Sequence, residues 1–336
     1  RRGENRTTLR LALATIEQTV VVQDQSAAER RDNGFTQTLT QDQIDSFRDN
    51  AAVQSVVTRA SSALGQDLGA LIDAGPGEEL NLTINTQPAL LAAGYAIYAA
   101  WRAAGGAEPN VVAGHSLGEY TALVAAGAVE LEDAVRLVRF RAQAMQEAVP
   151  VGVGSMAAIL GLSDEQVRQA CSEAAQGEVV EPVNFNAPAQ VVIAGHAEAV
   201  ERACSIAKRL GAKRAVTLAV SAPFHSSLLQ PASDRLRDRL AQTMLKKPRI
   251  DLINNVDVSI EPEPRRIADA LARQAASPVR WADTIRKMSD LGVTHVVECG
   301  PGRVLSGLTK RIAPNLENLV VNDTPTIAST LTSLNR

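Results

Sequence analysis

The segment Gly114-His115-Ser116-Leu117-Gly118 matches G-x-S-x-G, the pattern of a serine presented on a tight turn. It follows the apolar run Val111-Val112-Ala113 and leads into Tyr120 to Ala126, whose small residues read as a helix. A nucleophile elbow needs this strand–turn–helix context. The turn is sharp, so its flanks must be small, and Gly114 and Gly118 meet that need. The helix opening after Ser116 has backbone N–H groups without intrahelical partners and the positive end of a dipole. The N–H of Leu117 is a natural donor to a developing oxyanion. A bare G-x-S-x-G is also common as a structural turn, and the context distinguishes the two.

A serine of this kind needs a base. The chain has four histidines. His115 lies within the turn, which points it away from the base position. His196 follows Gly195 at a strand end and reads as a surface turn residue. His295 lies in an apolar strand and reads as a core histidine with satisfied nitrogens. His225 stands in Val220-Ser221-Ala222-Pro223-Phe224-His225-Ser226, where a small inserted module returns to the main body, and junctions of this kind favour binding sites. His225 is the best base candidate. No acid presents itself as a third member, and a backbone carbonyl could hold the imidazole tautomer instead. Arg136, Arg139 and Arg141 follow the elbow on one amphipathic helix, and their spacing keeps them from sharing a face. An inward arginine would bind a carboxylate; the pattern leaves open which of the three it is. Glu298-Cys299-Gly300-Pro301-Gly302 lacks the lysine of a phosphate loop and reads as a structural turn.

The elements that must position these residues are legible from periodicity. Gln87 to Ala104 reads as a buried helix and Glu132 to Ala148 as an amphipathic one. After Gly152-Val153-Gly154 come strand Ser155–Leu160, helix Ser163–Ala175, strand Val179–Asn184, strand Gln190–Gly195, helix Ala197–Leu210 and strand Lys213–Leu218. That β-α-β-β-α-β order is the ferredoxin-like signature. Long helices resume beyond Pro223, and strand Thr294–Glu298 precedes the Gly-rich turn. The simplest architecture is a parallel α/β domain with a small ferredoxin-like domain inserted in it.

Composition narrows the function. The 336 residues are 45% hydrophobic, enough for a large core. The net charge is −3 with both signs interspersed, and aromatics are 3%, so neither a basic nucleic-acid surface nor stacking platforms are expected. Cys171, Cys204 and Cys299 are far apart and odd in number, which fits a reducing compartment. No Cys/His cluster has metal-ligand spacing, and no apolar run is long enough for a membrane span. A monomer in the cytoplasm is expected. Residues 1–42 carry Arg1, Arg2, Arg6 and Arg10 and then a Gln/Thr/Asp-rich stretch; they read as a disordered or misassigned leader rather than a transit peptide.

Gly114 through Glu119-Tyr120 resembles the nucleophile motif of the malonyl-CoA:acyl-carrier-protein transacylase family. Gln87-Pro88-Ala89-Leu90-Leu91, Gly154-Ser155-Met156-Ala157-Ala158-Ile159-Leu160-Gly161, Gln190 to Gly195, Ser221 to Ser226, Ser277 to Trp281 and Glu298 to Gly302 agree in order and spacing. The resemblance covers roughly residues 43–325. It implies an α/β-hydrolase-like domain over 43–151 and 222–325, a ferredoxin-like small domain over 152–221 and a divergent segment over 1–42. It also implies that Ser116 carries the acyl group, His225 is the base and Arg141 pairs with the malonyl carboxylate. The backbone carbonyl of Gln274 would orient His225, and Leu117 and Phe224 would be malonyl-type neighbours. The partners implied are a coenzyme A thioester and acyl carrier protein, for fatty-acid synthesis, with no cofactor.

The chain departs from the family at its start. The family's Pro-Gly-Gln-Gly-Ser-Gln loop, whose glutamine helps form the oxyanion hole, should fall near Asn33 to Thr38, and the residues there do not match. Loss of one such donor costs on the order of a hundredfold to a thousandfold in turnover. Two rivals therefore stand beside the transferase: a serine thioesterase or esterase using the same elbow, and a weakly active carrier-binding relic. Lys208, Arg209, Lys213 and Arg214, or Lys246 and Lys247, are candidate docking patches for an acidic carrier, though solvated faces explain them as well.

Overall fold

The computed structural model describes residues 45–334 and, as backbone only, strands β1 (Thr8–Leu11), β2 (Val21–Gln23) and β3 (Gln37–Thr40). These three pair antiparallel in the order β2-β1-β3. Of the position expected for the oxyanion loop, residues 33–36 lie outside the described residues.

Helices come next: α1 (Ala51–Leu64), α2 (Leu68–Ala74), α3 (Gly77–Leu80) and α4 (Thr83–Ala103). Helix α4 is small and apolar all round, so it buries Ala89, Leu91, Ala92 and Ala96 in the main core. It starts four residues before the expected Gln87, which leaves Pro88 in its second turn. Strand β4 (Val111–Val112) leads through the elbow to α5 (Leu117–Ala125) and α6 (Leu131–Glu147).

The middle of the chain holds β5 (Gly154–Leu160), α7 (Asp164–Ala175), β6 (Val180–Ala187), β7 (Gln190–His196), α8 (Ala197–Arg209) and β8 (Arg214–Thr217). The strands form one antiparallel sheet in the order β6-β7-β5-β8. A capping box starts α7, with Ser163 accepting from the N–H of Gln166 and the Gln166 side chain accepting from the N–H of Ser163. Successive side chains of a strand point to opposite faces. Ala157, Ile159, Val191 and Ile193 accordingly pack on α7 and α8, while Met156, Ala158, Val192 and Ala194 join the main core.

The chain then forms α9 (Gln230–Ala241), β9 (Asp251–Leu252), α10 (Pro264–Gln274), α11 (Trp281–Asp290), β10 (His295–Cys299), α12 (Val304–Ile312), β11 (Glu317–Val321) and α13 (Thr324–Leu334). One parallel sheet was expected here; the described residues form two parallel pairs, β4–β9 and β10–β11. The pairs border a shared groove of about 460 Å³, with Val112 and Val297 on its strand edges and Trp101 and Trp281 in its walls. The loop before α11 ties the middle sheet to this body, through the Val279 N–H to Val183 O (2.8 Å) and the Phe185 N–H to Val279 O (3.0 Å).

Two histidine expectations are corrected. His295 is exposed rather than a core residue: at the first position of β10 its ring bonds Thr294 at 2.8 Å and lies 3.2 Å from Glu317. His196 is half-buried rather than a free surface residue: its Nδ1 accepts from the Val179 N–H at 3.0 Å, and its own N–H donates to Val179 O, pinning the start of β6 to β7. Among the described residues no helix is long and apolar enough to cross a membrane, and no group of His, Cys, Asp and Glu could hold a metal ion.

That pinned crossing has no room for a side chain at position 195, where an added Cβ would lie 2.0 Å from Val179 O. The substitution Gly195→Ala is expected to lower stability by roughly 1–3 kcal/mol, read as a lower urea midpoint with an unchanged slope.

Candidate active site

Ser116 sits at the mouth of α5 with φ 50° and ψ −109°, a conformation that costs a non-glycine residue about 1–3 kcal/mol. The turn is tight enough that a Cβ on Gly114 would lie 1.9 Å from the carbonyl carbon of Gly118. Hydrogen bonds from a distant loop hold the turn. The Ser116 N–H donates to Asn255 Oδ1 at 2.7 Å, and Asn255 Nδ2 donates to Gly114 O at 2.7 Å. The Asn255 N–H in turn donates to Glu119 Oε2 at 3.0 Å. Asn255 follows β9 and carried no signal in the sequence beyond its place in Asn254-Asn255.

Of the four histidines, His225 meets the serine: its Nε2 lies 2.8 Å from Ser116 Oγ. Its Nδ1 lies 2.8 Å from the backbone oxygen of Gln274. A carbonyl only accepts, so Nδ1 carries the proton and Nε2 is left to accept from the hydroxyl. Burial, with Arg141 next in effect, pushes His225 down to about 3, so the ring is neutral at ordinary pH. Phe224 beside it and Leu117 are both buried. No acceptor among the described residues takes the Leu117 N–H, which leaves it available at the helix start next to Ser116. His115 points away, as expected: its Nε2 bonds Asn186 Oδ1 at 3.0 Å and its ring lies 5.6 Å from that of Trp281. Burial pushes His115 down to about 4.

Arg141 is the inward arginine, with no accessible surface. It shares the buried stripe of α6 with Leu137 and Met145, one helical turn to either side. Its Nη2 donates to Ser116 Oγ at 2.9 Å and to Gln274 Oε1 at 3.1 Å, and its Nη1 donates to Gln87 Oε1 at 2.8 Å. The Tyr120 ring lies 5.4 Å from the guanidinium carbon. Arg136 is exposed near Asp133, and Arg139 turns to Gln66. Gln274 acts with both ends of its residue. Its carbonyl meets His225, while its side-chain Nε2 donates to Glu119 Oε2 at 2.8 Å and to Ser116 O at 3.1 Å. Glu119 is buried, and that burial raises its carboxyl to about 7. Glu119 and Gln87 lie within the segments Gly114 to Tyr120 and Gln87 to Leu91, whose spacing alone assigns them no role.

Glu298 accepts from the N–H groups of Leu305 (3.2 Å) and Ser306 (2.7 Å), so its carboxylate occupies the amides that an anion at the start of α12 would use. The segment from Glu298 to Gly302 is thus a structural turn. Burial raises Glu298 to about 7 as well.

Residues 44–319 match the acyl transferase domain family. The malonyl CoA-acyl carrier protein transacylase of Escherichia coli (strain K12) is 52% identical over 279 residues, 83% of this chain and 90% of the relative. The chain belongs to the malonyl CoA-acyl carrier protein transacylase family. Solved structures of this family superpose closely. The acyl-carrier-protein S-malonyltransferase from Burkholderia pseudomallei 1710b is 60% identical with a TM-score of 0.85, covering 87% of this chain and 95% of that one. A structure described as a type II PKS acyl-carrier protein in complex with its malonyl-transacylase is 50% identical with a TM-score of 0.84, covering 85% and 93%.

Four buried groups in this transacylase-family chain set its acid response. His115 and His225 stay neutral in the fold but take protons below 6.5 when unfolded, so they withdraw stability as pH falls from 6.5. Glu119 and Glu298 bind protons near 7 in the fold and near 4.5 when unfolded, so they add stability over the same fall. Urea unfolding midpoints are expected to change little from pH 6.5 to 4.5 and to drop below that, where the histidines are joined by carboxyls that their arginine partners hold below the ordinary range, Glu132 and Asp257 among them. In His115→Gln the balance tips, and stability should rise by roughly 1.4 kcal/mol per unit of acidification within that window.

Proposed function

We propose that the chain transfers a malonyl group from malonyl-CoA to the phosphopantetheine thiol of an acyl carrier protein, as a step of fatty-acid synthesis, through a malonyl ester on Ser116. The observation that carries this reading is a fully buried guanidinium within hydrogen-bond distance of the serine oxygen. A hydrolase for neutral esters has no use for such a charge, whereas an acyl group ending in a carboxylate matches it bidentately.

Ser116 Oγ attacks the thioester carbonyl as its proton passes to His225 Nε2. The new C–O bond forms a tetrahedral oxyanion, which the Leu117 N–H can stabilise. The C–S bond then breaks, and the coenzyme A thiolate leaves with the proton from His225. In the second half the carrier thiol gives its proton to His225 and attacks the ester. The Ser116 C–O bond breaks, and the serine recovers the proton. The carbonyl of Gln274 holds the imidazole throughout and takes the place of a triad acid. Each step uses side chains and backbone groups of this chain together with its two substrates, with no cofactor. Leu117 and Phe224 line the acyl site. A buried Arg141 fixes the malonyl group in a dry pocket, which slows loss of the ester to water.

The architecture we infer is an α/β-hydrolase-like body, residues 43–151 and 222–325, carrying a ferredoxin-like small domain over 152–221. The strand order β6-β7-β5-β8 and the separate core under α7 and α8 support that reading. A cytoplasmic monomer is the form proposed. The carrier complex among the related structures supports an acyl carrier protein as partner. Lys208, Arg209, Lys213 and Arg214 are all exposed, whereas Lys246 is paired with Glu130, so the first patch is the better docking surface.

Incubation with malonyl-CoA should place one malonyl group on Ser116, seen by mass spectrometry of the intact protein and its peptides and absent from Ser116→Ala. Replacing Arg141 by Ala should lower malonyl loading on the order of a hundredfold while acetyl loading survives, because truncating a buried charge partner costs about 2–5 kcal/mol. Rapid release of free malonate with no transfer to a carrier thiol would mark a thioesterase. A folded protein that never forms the adduct would mark a carrier-binding relic.

A further inference from the structure

We propose that Glu119 is a positioning residue for acyl-group selection: it fixes which way the Gln274 side-chain amide faces and so aims the Arg141 guanidinium at the acyl carboxylate. The inference rests on the malonyl-transfer reading given above.

A primary amide has an accepting end and a donating end. The donating end of Gln274 faces three acceptors, Glu119 Oε2 at 2.8 Å, Ser116 O at 3.1 Å and, more distantly, Asn255 Oδ1 at 3.5 Å. Its accepting end faces a guanidinium N–H, at 3.1 Å. Turning the amide over would set its NH2 against Arg141, donor on donor, and its oxygen against a carboxylate and a carbonyl, acceptor on acceptor. Glu119, Arg141 and Gln274 are each at least 99% buried, so water is not at hand to rescue the wrong arrangement. The Glu119 oxygen that receives Gln274 also receives the Asn255 N–H at 3.0 Å, so Oε2 acts as an acceptor whether or not the other oxygen carries a proton. Glutamine at position 119 would weaken this polarity: its oxygen can still accept from the Asn255 N–H, but it carries no charge and its NH2 replaces the second carboxyl oxygen. The guanidinium would then have a less firmly fixed acceptor holding Nη2 between Ser116 and Gln274. A neutral acyl group makes no demand on that aim, but a carboxylate bound in two-point fashion does.

The experiment compares the full-length parent, Glu119→Gln, Arg141→Ala and the double variant, each checked for folding by circular dichroism. Malonyl and acetyl loading on Ser116 are timed separately, with KM and kcat for each thioester. In Glu119→Gln the malonyl-to-acetyl preference should fall roughly tenfold, the size of one hydrogen bond to a charged group. The fall should appear in the KM for malonyl-CoA. In the Arg141→Ala background the second substitution should change the preference no further, because the two act on one interaction. Equal loss of malonyl and acetyl loading, or an undiminished effect without Arg141, would overturn the inference and make Glu119 a support of the elbow alone. Should Glu119→Gln fail to fold, Glu119→Asp draws the acceptor back from Gln274 by one methylene, so the preference should again fall, and a preference equal to the parent's with loading otherwise reduced would equally overturn the inference. Failure of the parent to load malonyl at all would instead count against the transfer reading.

Discussion

The site is organised by one constraint: a full positive charge with no access to water must find its partners inside the protein. Such a charge is expensive to bury unless it is hydrogen-bonded on several sides. Arg141 meets that demand by drawing on Gln87 from α4, Gln274 from the end of α10 and Ser116 from the elbow, with the Tyr120 ring of α5 beside it. These segments are far apart in the chain. The small residues of α4 and α5 let their backbones come close enough for the bonds to form. Packing and polarity are therefore the same problem here, since the helices must reach native spacing before the guanidinium is satisfied.

The geometry of the Ser116–His225 pair depends on a second constraint of space. Ser116 and His225 both have positive φ, 50° and 66°. Local sequence does not favour either, so each is held from outside. Asn255 binds the Ser116 N–H, Gly114 O before it and the Glu119 carboxyl after it, and the Gln274 carbonyl holds the histidine. Strain at Ser116 and His225 is thus balanced by residues outside their own turns. These supporting residues converge from the loop after β9 and the end of α10, so the second half of the chain must fold onto the first before the site exists.

How much of this could be read in advance follows from how local each signal is. The middle sheet was legible to within a few residues because its strands and helices are set by short-range alternation and by caps such as Ser163. Ser116 and His225 were legible from turn chemistry and from a junction between modules. Arg141 was singled out only by family resemblance, although Leu137 and Met145 one turn away already mark its face of α6 as the buried one. Asn255 and Glu119 were not legible as supports, because an asparagine after a short strand and a glutamate after a glycine turn acquire their meaning from partners more than a hundred positions away. His295 misled because an apolar strand does not reveal that its first residue faces solvent. The two separate parallel pairs were equally invisible, since pairing is a property of the assembled sheet.

The groove between those pairs gives the molecule an optical signature. Trp101 and Trp281 are its two tryptophans, and both border that groove. Trp281 also lies against His115, the residue next to Ser116 on the far side of the elbow. The tryptophan emission of this protein therefore comes from a single stripe that runs from the edges of β4 and β10 to the back of the turn holding Ser116. Filling of the groove and movement of the elbow both fall within its view, and neither needs an added label.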